Sequence, residues 1–328
     1  MLKLARESSV WTNLAPAQKS EDDQDAMRRE ITSGLLGAPK RLPSKYLYDA
    51  EGSRLFEAIC DLPEYYVTTA ETKLLSHCVR DIAGHIPEVA ILVEFGSGAS
   101  TKTRLLLDAI PQIEAYVPID ISGVALASAM RSIRARYPDL RMEGVVADIS
   151  RLDSLPVSTV GYSEVGFFPG STIGNFTPIE AKSFLANARR VLGPESRFIV
   201  GVDFVKSPDV LIPAYNDAQG VTAAFNKNVL NRLNREFGAN FQLDDFQHRA
   251  IWNPQESRIE MHLVSLRNAS VALADGTWIQ FTRGETIHTE NSYKYVPPLF
   301  ERLALDAGWN VENRWTSPDP AFGIFLLA

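Results

Sequence analysis

The stretch that decides the fold reads Glu-Phe-Gly-Ser-Gly-Ala-Ser-Thr-Lys-Thr at residues 94–103, directly after the apolar run Ala-Ile-Leu-Val at 90–93. A strand that runs into a glycine turn and then a helix is typical of nucleotide sites in α/β proteins. A phosphate-binding P-loop is excluded, because it needs four residues between its glycines and a Lys-Ser/Thr pair immediately after the second. Here one residue separates Gly96 from Gly98, and Lys102 comes too late.

Two ligand classes remain open for this turn, a dinucleotide and the adenosyl sulfonium S-adenosylmethionine. The dinucleotide fingerprint places a third glycine three residues after the second, so that the helix start can approach the pyrophosphate. Thr101 stands at that position here. The departure weakens the dinucleotide interpretation, and the surrounding sequence has to decide.

From Ala90 onward, short apolar runs rich in valine and isoleucine alternate with amphipathic stretches. This alternation predicts a parallel sheet with helices on both faces, which is a doubly wound core. The predicted strands lie at 90–95, 115–120, 142–148, 165–170 and 197–204, and the predicted helices at 101–110, 123–137 and about 178–192.

The alternation changes between about residues 208 and 289. A helical stretch at 223–238, with Phe225, Val229 and Leu233 on one face, precedes 258–268 and 276–284, which alternate as antiparallel strands do. The apolar face predicts core packing, and an insertion of this size predicts a lid or substrate domain. A helix at 297–308 and two closing strands return to the core, while the polar residues 1–45 predict a solvated arm leading into a first helix.

Carboxylates stand at the ends of successive predicted strands, where ligands of doubly wound sheets bind. Asp120 lies 24 residues beyond Gly96 and can accept hydrogen bonds from ribose hydroxyls, and Asp148 can accept from an adenine amino group. Each also has a structural interpretation, since Asp120 can cap a helix and Asp148 can stabilise a turn. The pair suits an adenosine but does not separate a dinucleotide from S-adenosylmethionine.

Bulk composition limits the partners and the compartment. The chain has 328 residues, a net charge of −7 and no basic run, which argues against a nucleic-acid partner. Its two cysteines lack a metal-ligand spacing and cannot form a framework of several disulfides. No signal peptide and no apolar run of eighteen residues is found. The histidines show no metal spacing either. A cytoplasmic protein without a metal is predicted, acting outside the membrane and as a monomer.

Several long blocks resemble the L-histidine Nα-methyltransferases of ergothioneine biosynthesis from about residue 30 to the C-terminus. They include "LPSKYLYDAEGSRLFEAICDLPEYYVTTAE" at 42–71, "PGSTIGNF" at 169–176 and "AYNDAQGVTAAFNKNVLNRLNREFGANF" at 214–241. The resemblance implies an α/β protein with a class I (Rossmann-like) methyltransferase core and a second, smaller α+β substrate domain. It further implies S-adenosyl-L-methionine as cofactor and trimethylation of the α-amino group of L-histidine to hercynine.

The implied domain organisation has three parts. Residues 1–80 form a helical segment that contributes to the substrate domain and a cofactor lid. Residues 81–205 and 291–328 form the methyltransferase core, and residues 206–290 form the inserted substrate-binding domain.

The resemblance also assigns site residues. The implied cofactor-binding residues are Tyr65, Gly96, Lys102, Asp120, Asp148 and Ile149. The implied substrate-binding residues are Tyr48, Gly170, Asn175, Tyr215, Met261, Glu290 and Ser292, of which Tyr48 and Asn175 are also the candidate catalytic residues.

The imidazole of the substrate is expected to meet Glu290 and Ser292, which can serve its two nitrogens. Taken alone, the "TENS" stretch at 289–292 is typical of an exposed turn, and only its position in a matching block favours a pocket. Three alternatives stay open: N-methylation of another amino acid such as tryptophan, a catalytically silent protein that binds S-adenosylmethionine, and an NAD-type oxidoreductase.

Overall fold

The computed structural model describes residues 21–98, 100–156 and 159–328, with the side chains of 21–24 left aside. Its helices are α1 (Glu21–Leu36), α2 (Ala50–Cys60), α3 (Tyr66–Ala83), α4 (Thr101–Ala109), α5 (Gly123–Arg136), α6 (Pro178–Leu192), α7 (Pro208–Ala214), α8 (Val221–Phe237) and α9 (Pro297–Asp306). Its strands are β1 (Lys40–Arg41), β2 (Ala90–Phe95), β3 (Ile113–Asp120), β4 (Arg141–Met142), β5 (Val145–Val146), β6 (Ser163–Phe168), β7 (Arg197–Asp203), β8 (Phe246–Asn253), β9 (Arg258–Ser265), β10 (Ala269–Ala272), β11 (Trp278–Phe281), β12 (Thr286–Tyr293), β13 (Val311–Pro318) and β14 (Ala321–Leu327).

The chain forms two compact units. Among the described residues, unit 1 comprises 67–205 and 294–328, and unit 2 comprises 21–66 and 206–293. The sequence-based boundaries were 80/81, 205/206 and 290/291, so the residues from Val67 to Arg80 lie with the core rather than with the N-terminal segment. They belong there because α3 buries an apolar stripe that includes Val67, Leu74 and Leu75. The substrate and lid roles given to the domains remain predictions.

Unit 1 is built on one sheet with the strand order β13-β14-β7-β6-β2-β3-β4, in which β5 also pairs with β3. Strands β2 to β7 pair in parallel, whereas β14 is antiparallel to both β7 and β13. The order reverses between β2 and β6, which makes this the switch point of a doubly wound fold. The expected class I (Rossmann-like) methyltransferase core is confirmed, and the two closing strands form its antiparallel edge.

Several element bounds follow from simple sequence signals. Strand β2 occupies residues 90–95 as predicted, because all six of its residues are buried between helical layers. Helix α6 begins with a capping box in which Thr177 accepts from the Glu180 backbone and Glu180 accepts from the Thr177 backbone. The predicted single strand at 142–148 is wrong, since Glu143 and Gly144 interrupt it and leave two short strands beside β3.

The core of unit 1 is largely aromatic. Phe95 and Phe168 pack against Phe184 of α6 with ring centroids 5.7 and 4.5 Å apart. Phe198 of β7 contacts Trp309, which is fully buried and donates its indole N–H to the Leu185 carbonyl at 2.8 Å. This cluster fastens α6 to β2, β6 and β7, so the ends of these strands are rigidly placed.

Unit 2 is the smaller α+β domain that the sequence predicted. Its sheet has the order β1-β12-β9-β8, with β12, β9 and β8 antiparallel, and β10 and β11 form a separate hairpin. The predicted apolar face of α8 is confirmed, because Phe225, Val229 and Leu233 are all buried.

The N-terminal prediction is partly wrong. Residues 21–36 form a helix rather than a solvated arm, because Ile31 and Leu35 bury their side chains. Residues 1–20 of the predicted arm lie outside the described part of the chain. In the described residues, no helix combines the length and apolar character that crossing a membrane requires.

A buried ion pair joins the two places where the main chain of unit 1 is interrupted by unit 2. Lys294 Nζ lies 2.9 Å from Asp203 Oδ2, and neither side chain is exposed. The Tyr295 N–H donates to the Asp203 carbonyl at 2.9 Å and the Val205 N–H donates to the Tyr295 carbonyl at 3.0 Å. Breaking such a pair from one side is costly, because it leaves a desolvated charge.

We expect Lys294→Met to lower the free energy of unfolding by about 3 kcal/mol, because the buried Asp203 carboxylate loses its ammonium. The double variant Asp203→Asn with Lys294→Met should lose less, since it leaves no buried charge. Urea unfolding followed by tryptophan fluorescence measures both. Equal losses in the two variants would contradict the assignment of the cost to an uncompensated charge.

Candidate active site

The glycine turn after β2 leaves open space at the carboxyl edge of the sheet. Gly96 has a φ of +80° and Gly98 a φ of +44°, and a Cβ at either position would meet no atom within 4 Å. Between them Ser97 is 3% exposed, and its hydroxyl has no hydrogen-bond partner among the described residues. A buried polar atom beside an open cradle fits a turn that receives a polar ligand.

The two predicted adenosine-binding carboxylates lie at the ends of β3 and β5. Asp120 accepts from the Ser122 backbone at 2.9 Å and from the Gly98 backbone at 3.4 Å, which links the two neighbouring loops. Burial raises its pKa, and these backbone donors oppose the rise. Asp148 caps the 3₁₀ turn Ile149–Arg151 and accepts from the Ser150 N–H at 3.0 Å. The structural alternative given for Asp148, a turn-stabilising aspartate, is therefore confirmed, and its ligand role stays a prediction.

Glu94 is a buried carboxyl group at the end of β2. Thr103 Oγ1 lies 2.8 Å from both of its oxygens, and the Tyr116 hydroxyl donates to Oε2. Burial raises the pKa of Glu94 to about 8. At neutral pH the group is therefore mostly a neutral acid that braces the first turn of α4 against β3.

Lys102, predicted to bind the cofactor, is held by a residue that sequence reasoning missed. Its ammonium donates to Oε2 of Glu71 on α3, and the backbone N–H of Gly170 donates to the same oxygen at 2.7 Å. Glu71 is 1% exposed. The structure thus brings Lys102 of α4 together with Gly170, which was predicted for the substrate.

The loop that follows β6 holds the second predicted substrate residue of unit 1. Gly170 and Ser171 both have left-handed backbones, with φ of +79° and +54°, and the Ser171 hydroxyl accepts from the Asp203 N–H at 2.9 Å. The chain then forms the 3₁₀ turn Thr172–Asn175. Strained non-glycine backbone is typical of functional loops, and here it sets the position of the half-buried Asn175.

The predicted tyrosines of unit 2 form one aromatic cluster. Tyr48 packs edge-on against Phe56 and Phe225 with centroids 5.5 and 5.4 Å apart. Tyr65 contacts Phe56 at 6.2 Å and Tyr215 at 6.0 Å. Tyr65 was predicted for the cofactor, but its contacts within unit 2 are with the residues predicted for the substrate. Burial raises the pKa of Tyr65 well above 10, so its hydroxyl stays a neutral hydrogen-bond donor.

The three remaining substrate predictions lie on β9 and β12. Met261 and Glu290 are direct cross-strand partners, next to a bulge between His288 and Glu290. Ser292 lies two residues further along β12, and the Tyr215 hydroxyl is 2.7 Å from its Oγ. All of them are buried. The exposed-turn alternative for 289–292 is therefore wrong, because pairing with β9 draws this polar stretch into the sheet.

A chain of buried hydrogen bonds supports that pocket. The Thr289 hydroxyl donates to Asn226 Oδ1 at 2.6 Å, and Asn226 Nδ2 donates to His248 Nδ1 at 2.9 Å. His248 Nε2 in turn donates to the Tyr215 carbonyl at 2.8 Å. Burial lowers the pKa of His248, which keeps Nδ1 free of a second proton and able to accept. Strand β12, helix α8 and Tyr215 are thereby fixed relative to one another.

Unit 2 also contains one cluster with metal-ligand chemistry among the described residues, formed by Glu260, His262 and His288. The two imidazoles are stacked with centroids 4.7 Å apart and an interplanar angle of 25°. One potential ligand atom of each residue lies within 4.8 Å of the others, but His262 Nε2 is already 3.0 Å from Glu260 Oε2 and His288 Nε2 is 3.1 Å from the Glu290 carbonyl. Arg258 Nη2 also lies 2.6 Å from Glu260 Oε1. This arrangement disfavours a shared metal, and the expectation of no metal stays a prediction.

The residues of unit 1 fit S-adenosylmethionine. An open glycine turn, a buried unsatisfied hydroxyl and carboxylates after β3 and β5 meet at one edge of the sheet, and each group suits part of an adenosyl amino acid. Gly170 and Asn175 lie in the same unit, whereas Tyr48, Tyr65, Tyr215, Met261, Glu290 and Ser292 lie in unit 2.

Known proteins match this chain over nearly its whole length. A family model described as histidine-specific methyltransferase, SAM-dependent, matches residues 27–328. Histidine N-alpha-methyltransferase of Mycolicibacterium smegmatis is 41% identical over 320 residues, 96% of this chain and 98% of that protein. Ergothioneine biosynthesis protein 1 of Neurospora crassa is 30% identical over 92% of this chain and 35% of its own length. The 4-dimethylallyltryptophan N-methyltransferase easF of Epichloe festucae var. lolii is 25% identical, covering 90% and 92%.

The pKa of Glu94 gives a prediction with a defined sign. An exposed glutamate titrates near 4.5, whereas the folded group titrates at about 8, so folding takes up a proton between these values. This contribution to the free energy of unfolding is fully present below pH 4.5 and is lost as the pH rises through about 8, with a slope of at most about 1.4 kcal/mol per pH unit. We expect Glu94→Gln to flatten the stability profile in this window and to be more stable than wild type at its upper end.

Thermal and urea unfolding across the window measures the slope. Glu114→Gln is the matched control, because Glu114 is exposed on the neighbouring strand β3, and it should leave the profile unchanged. A Glu94→Gln profile parallel to that of the wild type would show that Glu94 is ionised in the folded protein.

Proposed function

We propose that this chain, which belongs to the family of histidine-specific, S-adenosylmethionine-dependent methyltransferases, trimethylates the α-amino group of L-histidine to give hercynine. The observation that carries this proposal is the extent of the family match, which runs from residue 27 to residue 328 and so includes both units. A match confined to unit 1 would support only the cofactor. The histidine-specific family model and the 41% identical histidine N-alpha-methyltransferase also match unit 2, which supports the acceptor as well.

S-Adenosylmethionine, when bound, supplies a methyl carbon on a positively charged sulfur. In our proposal, Gly96 opens the turn to it, Asp120 accepts from ribose hydroxyls, and Asp148 with Ile149 receives the adenine. Lys102 offers an ammonium to an anionic group of the ligand. Each of these residues sits at the carboxyl edge of the unit 1 sheet, and the first three positions are fixed by strand ends rather than by long flexible side chains.

The acceptor nitrogen has to be uncharged, since an ammonium has no lone pair and is repelled by a sulfonium. Tyr48 and Asn175 can orient the amine without adding charge, and positioning of this kind supplies a large share of a rate enhancement. Three transfers to a primary amine release two protons, which pass to solvent in our proposal. No tyrosinate base is invoked, because burial keeps Tyr65 protonated.

Recognition of the imidazole is assigned to Glu290 and Ser292, with Met261 packed beside Glu290 on the partner strand. A buried carboxylate without a hydrogen-bond donor raises the free energy of the complex. An amino acid whose side chain has no ring N–H at that point is therefore a much poorer substrate. The Tyr215 hydroxyl, 2.7 Å from Ser292 Oγ, fixes the serine. One relative is named for a tryptophan derivative, which supports the view that pocket residues, rather than the fold, set the acceptor.

The proposal extends to cellular context. Hercynine formation fits ergothioneine biosynthesis, the process for which the Neurospora relative is named. Cys60 and Cys78 form no disulfide in the described part of the chain, which supports a cytoplasmic location. We propose a monomer that acts on a small molecule, with no nucleic-acid partner, and the net charge of −7 supports the last point.

The acceptor is tested by incubating the protein with S-adenosylmethionine and an equimolar mixture of the twenty amino acids, followed by mass spectrometry. We expect one, two and three methyl groups on histidine alone. Glu290→Ala should lower the preference for histidine over tryptophan by at least tenfold, because it removes the carboxylate that is proposed to accept the imidazole N–H. Glu256→Ala, at an exposed glutamate of the β8–β9 turn, is the control.

Methylation of another amino acid would contradict the acceptor while leaving cofactor and reaction type standing. No methylation of any amino acid, with S-adenosylmethionine still binding, would favour the catalytically silent alternative. Turnover linked to a nicotinamide would revive the oxidoreductase.

Removal of one hydroxyl tests the catalytic role of Tyr48. We expect Tyr48→Phe to lower kcat/KM for histidine about tenfold to a hundredfold, because the amine loses an orienting partner, while the packing against Phe56 and Phe225 and the melting temperature are retained. Tyr137→Phe is the matched control, since its hydroxyl bonds Asp108 at 2.6 Å on the surface of unit 1. Unchanged kinetics in Tyr48→Phe would remove the hydroxyl from the mechanism.

A further inference from the structure

Glu71 occupies a fully enclosed position in unit 1 that four separate segments create. It projects from α3, and its Oε2 accepts from the Lys102 ammonium of α4 and from the Gly170 N–H of the loop after β6. On the far side, Gly201 of β7 lies so close that a Cβ there would sit 1.8 Å from Oε1. A glycine inside a central strand weakens the strand, and here it makes room for the carboxylate.

Burying a carboxylate is expensive unless charge and hydrogen bonds compensate it. The side chain of Glu71 is 1% exposed and that of Lys102 is 14% exposed, so the carboxylate is fully buried while the lysine side chain keeps some contact with solvent. In this ion pair the carboxylate is the more deeply buried group, and the lysine lies between it and the solvent. The ideal Cβ position of Gly170 lies 3.8 Å from Lys102 Nζ, which places the ammonium at the substrate loop as well.

We propose that Glu71 is a positioning residue that holds Lys102 and Gly170 in place and offsets the lysine charge, so that a cationic sulfonium is accepted near an ammonium. This inference rests on the proposed function only for the identity of the cofactor. Lys102 alone would attract an anionic group and repel the sulfonium. With Glu71 beneath it, the pair keeps a local donor but has nearly no net charge, so the repulsion is relieved.

The cofactor and its product give a direct readout of this effect. S-Adenosylmethionine and S-adenosylhomocysteine share every other group and differ by one methyl and one positive charge on sulfur. A residue needed only for folding would weaken both to the same extent. A residue that offsets charge would change the ratio of the two dissociation constants, because only one ligand carries the extra charge.

Glu71→Gln is the primary variant, because a glutamine keeps one oxygen for Lys102 and Gly170 and removes the charge. By isothermal titration calorimetry, we expect the Kd for S-adenosylmethionine to rise about tenfold relative to that for S-adenosylhomocysteine. Lys102→Met should shift the same ratio in the opposite direction. The double variant, which leaves no charge at either position, should return the ratio to within about threefold of wild type.

Equal weakening of both ligands in Glu71→Gln, or a ratio unchanged in both single variants, would overturn the proposal. If Glu71→Gln does not fold, the direction of the shift in Lys102→Met decides. Binding is measured without histidine, so a failure of the proposed methylation, seen as absent turnover with normal binding, is distinguishable from a failure of this inference.

Discussion

Parallel pairing of β2 with β3 on one side and β6 on the other is the constraint from which the site in unit 1 follows. Because parallel strands end at the same edge, the pairing brings the glycine turn, Asp120 and the loop from Gly170 to Asn175 to one side of the sheet. Shifting that register by one residue would turn the buried run of β2 toward the opposite layers. The strand order therefore determines which loops meet at this edge, whatever side chains those loops carry.

Both units place functional side chains with buried polar groups whose partners come from distant parts of the chain. In unit 1 the carboxylate of Glu71 binds Lys102 and the loop after β6, and in unit 2 Asn226 connects β12 with His248 and, through it, with Tyr215. A buried polar group without a hydrogen-bond partner destabilises the fold, whereas a fully paired one holds the segments around it in fixed positions. In each unit the candidate tyrosine, glutamate and lysine side chains are therefore held in defined positions by the fold itself.

The sequence predicted features that depend on neighbouring residues, and it missed features that depend on contacts between distant parts of the chain. Strand β2 and helix α6 were predicted with their observed ends, because an apolar run and a capping box are local signals. Glu71 was missed, since a glutamate in the polar stretch "TTAETK" looks like a surface residue until α4 and β7 enclose it. Strand β12 was missed as well, because "HTENS" has the composition of a turn and only its pairing with β9 makes it a strand. The contacts of Tyr65 likewise depend on Tyr215, 150 positions further along the chain.

The parallel bridge between Phe204 and Tyr295, with the Asp203–Lys294 pair beside it, closes the core at the point where the intervening segment departs and rejoins. For the sheet of unit 1, residues 206–293 are thus a loop whose two ends are already fastened together. Insertions, deletions or replacement of that loop over evolutionary time need not disturb the strands on either side. The pocket proposed above is not confined to that segment, because Tyr48 and Tyr65 lie in the N-terminal part of unit 2. A change of substrate would therefore draw on both stretches of the chain that build unit 2, while the strands of unit 1 stay in place.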